Sequence, residues 1–174
     1  SSYRRGPVPS TTRPTLIPLL SQKNAAVDIH PPTIGYRPEE VKMAKRVDHI
    51  GILVSNLDEA TRLYQDCFGV RTGKIETLPG PGVKAAMLSL GDGTNLELLE
   101  PLPGSNMAKV LESRGEGLHH IAFEVGDIDS ELDHLSGGGI ELIDRKARSG
   151  LDGMIAFIHP KSLRGVLIEL CQKA

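Results

Sequence analysis

Two stretches of the sequence place a histidine in the same frame: HIGILV at residues 49 to 54 and HIAFEV at residues 120 to 125, both H-I-x-x-x-V. Two more, LEL at 96 to 98 and IEL at 168 to 170, each set a glutamate between apolar neighbours. The histidines are 71 residues apart and Glu97 and Glu169 are 72 apart, so the four stay in register to within one residue. Two neutral imidazoles and two carboxylates suit a divalent ion such as Co²⁺, Mn²⁺, Ni²⁺, Zn²⁺ or Fe²⁺, with positions left open for water or substrate. A lone strand histidine is more often packed or solvated than a ligand. Four such residues recurring at matched positions of a duplicated unit are harder to dismiss.

The elements that must position them can be read from periodicity. RVDHIGILV (46 to 54) reads as a strand, and SNLDEATRLYQDCFG as a helix with Ser55 or Asn56 as N-cap and Gly69 closing it. VRTGKIETL, VKAAMLSL and TNLELLE then read as strands separated by the turns PGPG and GDG. SNMAKVLESRG supplies a linking helix capped by Ser105, after which the order repeats. GLHHIAFEV is a strand, DIDSELDHL a helix, and GIELIDRKA, GMIAFIHP and RGVLIELCQ three further strands. Strand alternation puts Ile50, Ile52 and Val54, and likewise Ile121, Phe123 and Val125, on a helix-packed face. Leu96 and Leu98, with Val166, Ile168 and Leu170, belong to the same side. His49, His120, Glu97 and Glu169 are left on the opposite face, where a pseudo-twofold between the halves would gather them. By the same parity His119 falls on the helix side or its margin, in a structural or supporting role.

The chain has 174 residues, 39% of them hydrophobic, enough for one substantial core or two small fused units. A net charge of -2 argues against a polyanion such as nucleic acid as the main partner. No apolar run approaches the roughly 20 residues that span a bilayer, so a soluble protein is expected. Cys67 and Cys171 lack CxxC spacing, which gives no support to a disulfide framework or a structural zinc site and makes a reducing compartment the default. Residues 1 to 45 differ from the rest: they are rich in proline, carry Arg4, Arg5 and Arg13, and have no acid before Asp28. That composition fits an organelle presequence remnant or a wrapping arm.

The motifs VDHIGILVSNLDEATRLY, LELLEPL, GEGLHHIAFEVGDID and HPKSLRGVLIEL resemble the vicinal oxygen chelate superfamily and, within it, the methylmalonyl-CoA epimerase family. The resemblance covers residues 46 to 174. It implies an α+β fold, with two tandem βαβββ modules, about 46 to 103 and 116 to 174, forming a curved mixed sheet around a metal site. His49, Glu97, His120 and Glu169 correspond to that family's metal ligands, with Co²⁺ the first expectation. The implied activity interconverts (2R)- and (2S)-methylmalonyl-CoA by removing and returning the C2 proton, with Glu169 as ligand and as one base.

The glyoxalase family shares the ligand set. Its members usually carry a D-P-x-G-type turn where this chain has HPKSLRG, and the HH pair and EPL ending fit the epimerases better. A glutathione-dependent lyase is therefore the alternative enzyme. A structural subunit of a larger mitochondrial assembly, reached through residues 1 to 45, is the non-catalytic alternative. Some epimerases offer a second glutamate on the strand after the GV turn, but here that strand reads GVKAAM, so the group that returns the proton has no assignment. Lys84 and Lys161 are candidates for the substrate carboxylate or a CoA phosphate. An acyl-CoA substrate, a homodimer and the mitochondrial matrix, or the cytoplasm in a prokaryote, complete the expectation.

Overall fold

The computed structural model describes residues 44–173. The presequence or arm expected over residues 1 to 45 thus lies almost wholly outside the described residues.

Strand β1 (Arg46–Leu53) leads into helix α1 (Leu57–Phe68), followed by β2 (Arg71–Leu78), β3 (Val83–Ser89) and β4 (Asn95–Pro101). Helix α2 (Asn106–Arg114) links this module to β5 (Gly117–Glu124), α3 (Ile128–Gly137), the two-residue β6 (Arg148–Ser149), β7 (Gly153–Ile158) and β8 (Ile168–Lys173). The expected caps are in place. Asn56 Oδ1 accepts from the Glu59 amide at 3.0 Å, and Ser105 Oγ from the Ala108 amide at 3.1 Å. Gly69 ends α1 at φ 64°, a left-handed conformation that costs glycine little.

All eight strands form one curled mixed sheet in the order β2-β3-β4-β1-β5-β8-β7-β6, the paired-module fold expected. Each module runs its own first and last strands parallel, β1 with β4 and β5 with β8. The modules join where β1 meets β5 antiparallel, with Ile50 opposite its repeat counterpart Ile121.

Two apolar clusters lie between the sheet and its helices. Under α1 are Val54, Leu57, Ala86, Leu88 and Leu98, and under α3 are Val125, Leu132, Ala156, Ile168 and Leu170. Period-two alternation thus sorts β4 and β8 as read, with Leu98 and Leu170 toward the helices and Glu97 and Glu169 turned away. A third cluster, Leu53, Val83, Ala85 and Leu99, is covered by Met107, Val110 and Leu111 of α2, which closes one end of the opposite face.

Two expected strands need correction. GIELIDRKA keeps only an isolated bridge from Leu142 to Ile158 before β6. There the Asp144 carboxylate accepts the Phe157 amide at 2.9 Å, while the Ile143 and Asp144 amides share the Phe157 carbonyl. A side chain has taken the place of a ladder partner, so the segment runs alongside β7 without joining it. RGVLIELCQ becomes a strand only from Ile168, because a 3-10 turn (Pro160–Leu163) ends with Arg164 at φ 57°. Val166, expected on the helix side, is exposed.

Candidate metal centre

The β1–β5 seam is irregular at two places, and both matter to the site. The pairing runs Val47 to Phe123 and then His49 to Ala122, leaving Asp48 as an extra residue. It runs Gly51 to His120 and then Ile52 to Leu118, leaving His119 extra in the other strand. Such bulges suspend the alternation locally and re-aim side chains. Asp48 and His119, which occupy equivalent positions in the two repeats, therefore line the same cleft as the histidines that follow them. His119 is thus corrected from the helix side to the cleft side.

The four sequence-selected residues come together, all of them buried. His49 Nε2 and His120 Nε2 are 3.0 Å apart. Glu97 Oε2 is 3.5 Å from each of these nitrogens. Glu169 approaches from the other module, Oε1 at 3.8 Å from His49 and Oε2 at 3.5 Å from His120. His49, Glu97 and His120 each offer a ligand atom within 4.8 Å of the other two, and Glu169 joins them through the imidazoles.

Each histidine is held from behind by its bulged neighbour. His49 Nδ1 lies 3.0 Å from Asp48 Oδ2, and His120 Nδ1 lies 2.9 Å from His119 Nδ1. Asp48 is itself fixed by Arg46 at 2.8 Å and Lys173 at 2.9 Å. An imidazole that gives its Nδ1 proton to a carboxylate keeps the Nε2 lone pair for a metal. Gly51 makes the room: a Cβ there would stand 2.2 Å from His120 Cε1.

The electrostatics test whether this set fits a cation. Burial pushes the Glu97 carboxyl upward, with His49 opposing and Asp152 and Asp48 adding to the push. Burial likewise raises Glu169 to about 7, against the nearby His49. For His49, burial works against the charged form, yet the Asp48 hydrogen bond and the charges of Glu97 and Glu169 outweigh it and raise its pKa. His120, buried and flanked by His49 and His119, is driven down to about 2 and stays neutral. Two carboxyl groups that burial disfavours as anions, set beside two imidazoles, leave a demand for positive charge between them. A divalent ion meets that demand with the nitrogen and oxygen donors present.

The donors line a cavity of about 540 Å³, the size range of small-molecule sites. Met87, Leu99, Met107, Leu151, Phe157 and Leu167 are among its apolar walls. Neither Lys84 nor Lys161 lines it. Lys84 points toward Asp58 of α1, 3.8 Å away, and Lys161 sits on the 3-10 turn. Glu100 lies on the helix side and accepts the Leu57 amide at 2.6 Å. The parts that escaped sequence reasoning are Asp48, Gly51, Phe157 and Arg148. Only the repeat match between Asp48 and His119 offered a signal for any of them.

Residues 48–157 match the family described as the Glyoxalase/Bleomycin resistance protein/Dioxygenase superfamily. The chain is 40% identical over 129 residues to an uncharacterized Bacillus subtilis protein, YqjC, spanning 73% of this chain and 91% of that one. It is 34% identical over 130 residues to the mitochondrial methylmalonyl-CoA epimerase of Homo sapiens, spanning 73% of each. Among solved structures, a methylmalonyl-CoA epimerase in complex with methylmalonyl-CoA and NH4+ superposes with a TM-score of 0.71 at 37% identity, covering 76% of this chain and 96% of that one. Among the described residues, no helix is long and apolar enough to cross a membrane.

Proposed function

The chain belongs to the glyoxalase/bleomycin resistance protein/dioxygenase superfamily, and from that premise we propose that it is an epimerase interconverting (2R)- and (2S)-methylmalonyl-CoA. The observation that carries this reading is the convergence of two histidines and two glutamates, one of each from either module, on a largely apolar cleft. The likeness to relatives that bear the epimerase name supports the choice of substrate.

The chemical problem is a weakly acidic C-H between a thioester and a carboxylate. A divalent ion held by His49, Glu97, His120 and Glu169, Co²⁺ in the first instance, would supply Lewis acidity for the charge that develops on those oxygens. Glu169 takes up the C2 proton. Asp48 holds His49 in the ring orientation that points Nε2 at the centre. The apolar walls keep bulk water from the carbanion and strengthen every charge interaction inside. A homodimer and a place in the mitochondrial matrix belong to the same proposal, the location supported by the composition of residues 1 to 45 and the mitochondrial relative.

Exchange of the C2 proton of methylmalonyl-CoA in D₂O tests it. With Co²⁺ the protein should catalyse exchange, chelation should abolish it, and Glu169→Gln should slow it by roughly 10²- to 10⁴-fold, the usual contribution of a positioned acid-base group. Exchange that survives chelation, or is undiminished by the substitution, would overturn the proposal.

A further inference from the structure

The cleft holds four carboxylates, Asp48, Glu97, Asp152 and Glu169, and the substrate class proposed above brings another. Two cations line the same space. Lys173 is engaged by Asp48 at 2.9 Å. Arg148 is freer: its Nε lies 3.5 Å from Asp144 Oδ2, and among the described residues its two terminal amino groups meet no hydrogen-bond acceptor.

Arg148 stands close to the donors. It opens β6 opposite Ile155 of β7, and its guanidinium carbon is 5.5 Å from the centroid of the Phe157 ring. That ring meets His120 edge-on with centroids 5.5 Å apart, and Phe157 is the cross-strand partner of Glu169. The guanidinium is therefore one aromatic ring away from two of the four donors.

We propose that Arg148 binds the free carboxylate of the substrate and makes the cleft selective for acyl-CoA thioesters that carry a carboxylate at C2. The inference rests on the function proposed above and deepens it. The guanidinium fork matches a carboxylate with two parallel hydrogen bonds, which a lysine ammonium cannot reproduce. The Phe157 face and the Asp144 contact hold the plane of the fork and leave its terminal edge for the ligand. An acyl-CoA without the carboxylate gains nothing from this edge.

The test compares malonyl-CoA with acetyl-CoA, titrated calorimetrically into the Co²⁺-supplemented full chain and into its R148Q and R148K variants. The two thioesters share the whole CoA moiety and differ in the carboxylate. The unsubstituted chain should bind malonyl-CoA at least tenfold more tightly than acetyl-CoA. R148Q should lose about 10- to 100-fold toward malonyl-CoA, as expected for charge-assisted hydrogen bonds. Its acetyl-CoA and Co²⁺ affinities should stay within about twofold, because Arg148 makes no hydrogen bond to a ligand residue. R148K should recover part of the loss. A preference for malonyl-CoA that survives R148Q overturns the role of Arg148 alone. Equal loss toward both thioesters also overturns it, since that places the guanidinium on the CoA moiety. An unsubstituted chain that binds neither thioester, or does not distinguish them, overturns this inference together with the function it rests on.

Discussion

Gly51 shows how closely the backbone is fitted to one side chain. Its φ lies outside the left-handed region, so conformational freedom is not what the position requires; the requirement is empty space where His120 places its ring. A methyl group at Gly51 would press on Cε1, Nδ1 and Nε2 together, and the ring, buried and tied to His119, has little room to retreat. Gly51→Ala should therefore displace Nε2 from its partners, destabilise the fold by about 1 to 3 kcal/mol as overpacking does, and weaken Co²⁺ binding by roughly 10- to 100-fold, the effect of disturbing a ligand's support. Calorimetric titration of the folded variant checks it, and an unchanged affinity would refute the account of Gly51. The two histidines and two glutamates were legible because each pair recurs in an identical frame, HI for one and EL for the other. Asp48, Gly51 and the cleft-side placement of His119 were not, because they follow from how β1 pairs with β5. Pairing register is a long-range property that no single stretch of sequence contains.

At the level of elements, the sheet separates stability from chemistry by its two faces. Leu57 begins α1, is fully buried against Ala86, Leu88 and Leu98, and donates its amide to Glu100, a helix-side residue of β4, the strand that carries Glu97. Leu57→Ala should cost about 2 to 5 kcal/mol through the cavity it leaves. It should leave the Co²⁺ affinity of the folded fraction unchanged, because Leu57 packs on the side of the sheet opposite Glu97. Urea unfolding followed by metal titration below the transition distinguishes the two effects, and a matching loss of affinity would show that the faces are coupled. Elements with an uninterrupted period were readable: α1 with both its caps, β4 with Leu98 and Glu97 on opposite faces. The stretch from 139 to 147 has the alternation of a strand without becoming one. Asp144 satisfies the Phe157 amide with its side chain, and propensity carries no information about that competition.

Over the whole described unit, the duplication gives each module half of a centre that neither can complete. Module one supplies His49 and Glu97 from the parallel pair β1 and β4, and module two supplies His120 and Glu169 from β5 and β8. Direct strand pairing between the modules is confined to the seam where β1 meets β5. A cation held by these four residues, as proposed, would add a second connection between side chains on either side of that seam. It would also offset the cost of burying Glu97 and Glu169, whose carboxyl groups burial pushes upward. Because the unfolded chain has no assembled donor set, binding to the folded state alone stabilises it, by about 2.7 kcal/mol when the ion is at a hundredfold its dissociation constant. For a unit of this size that corresponds to a rise in Tm on the order of 5 to 15 °C. Calorimetric melting with Co²⁺ and again after chelation should show this difference. His49→Ala and His120→Ala, which remove one donor from opposite modules, should each shrink it, whereas R148Q, outside the donor set, should retain it in full. A Tm indifferent to Co²⁺ in the unsubstituted chain would mean that the four residues pack together without serving as a metal centre.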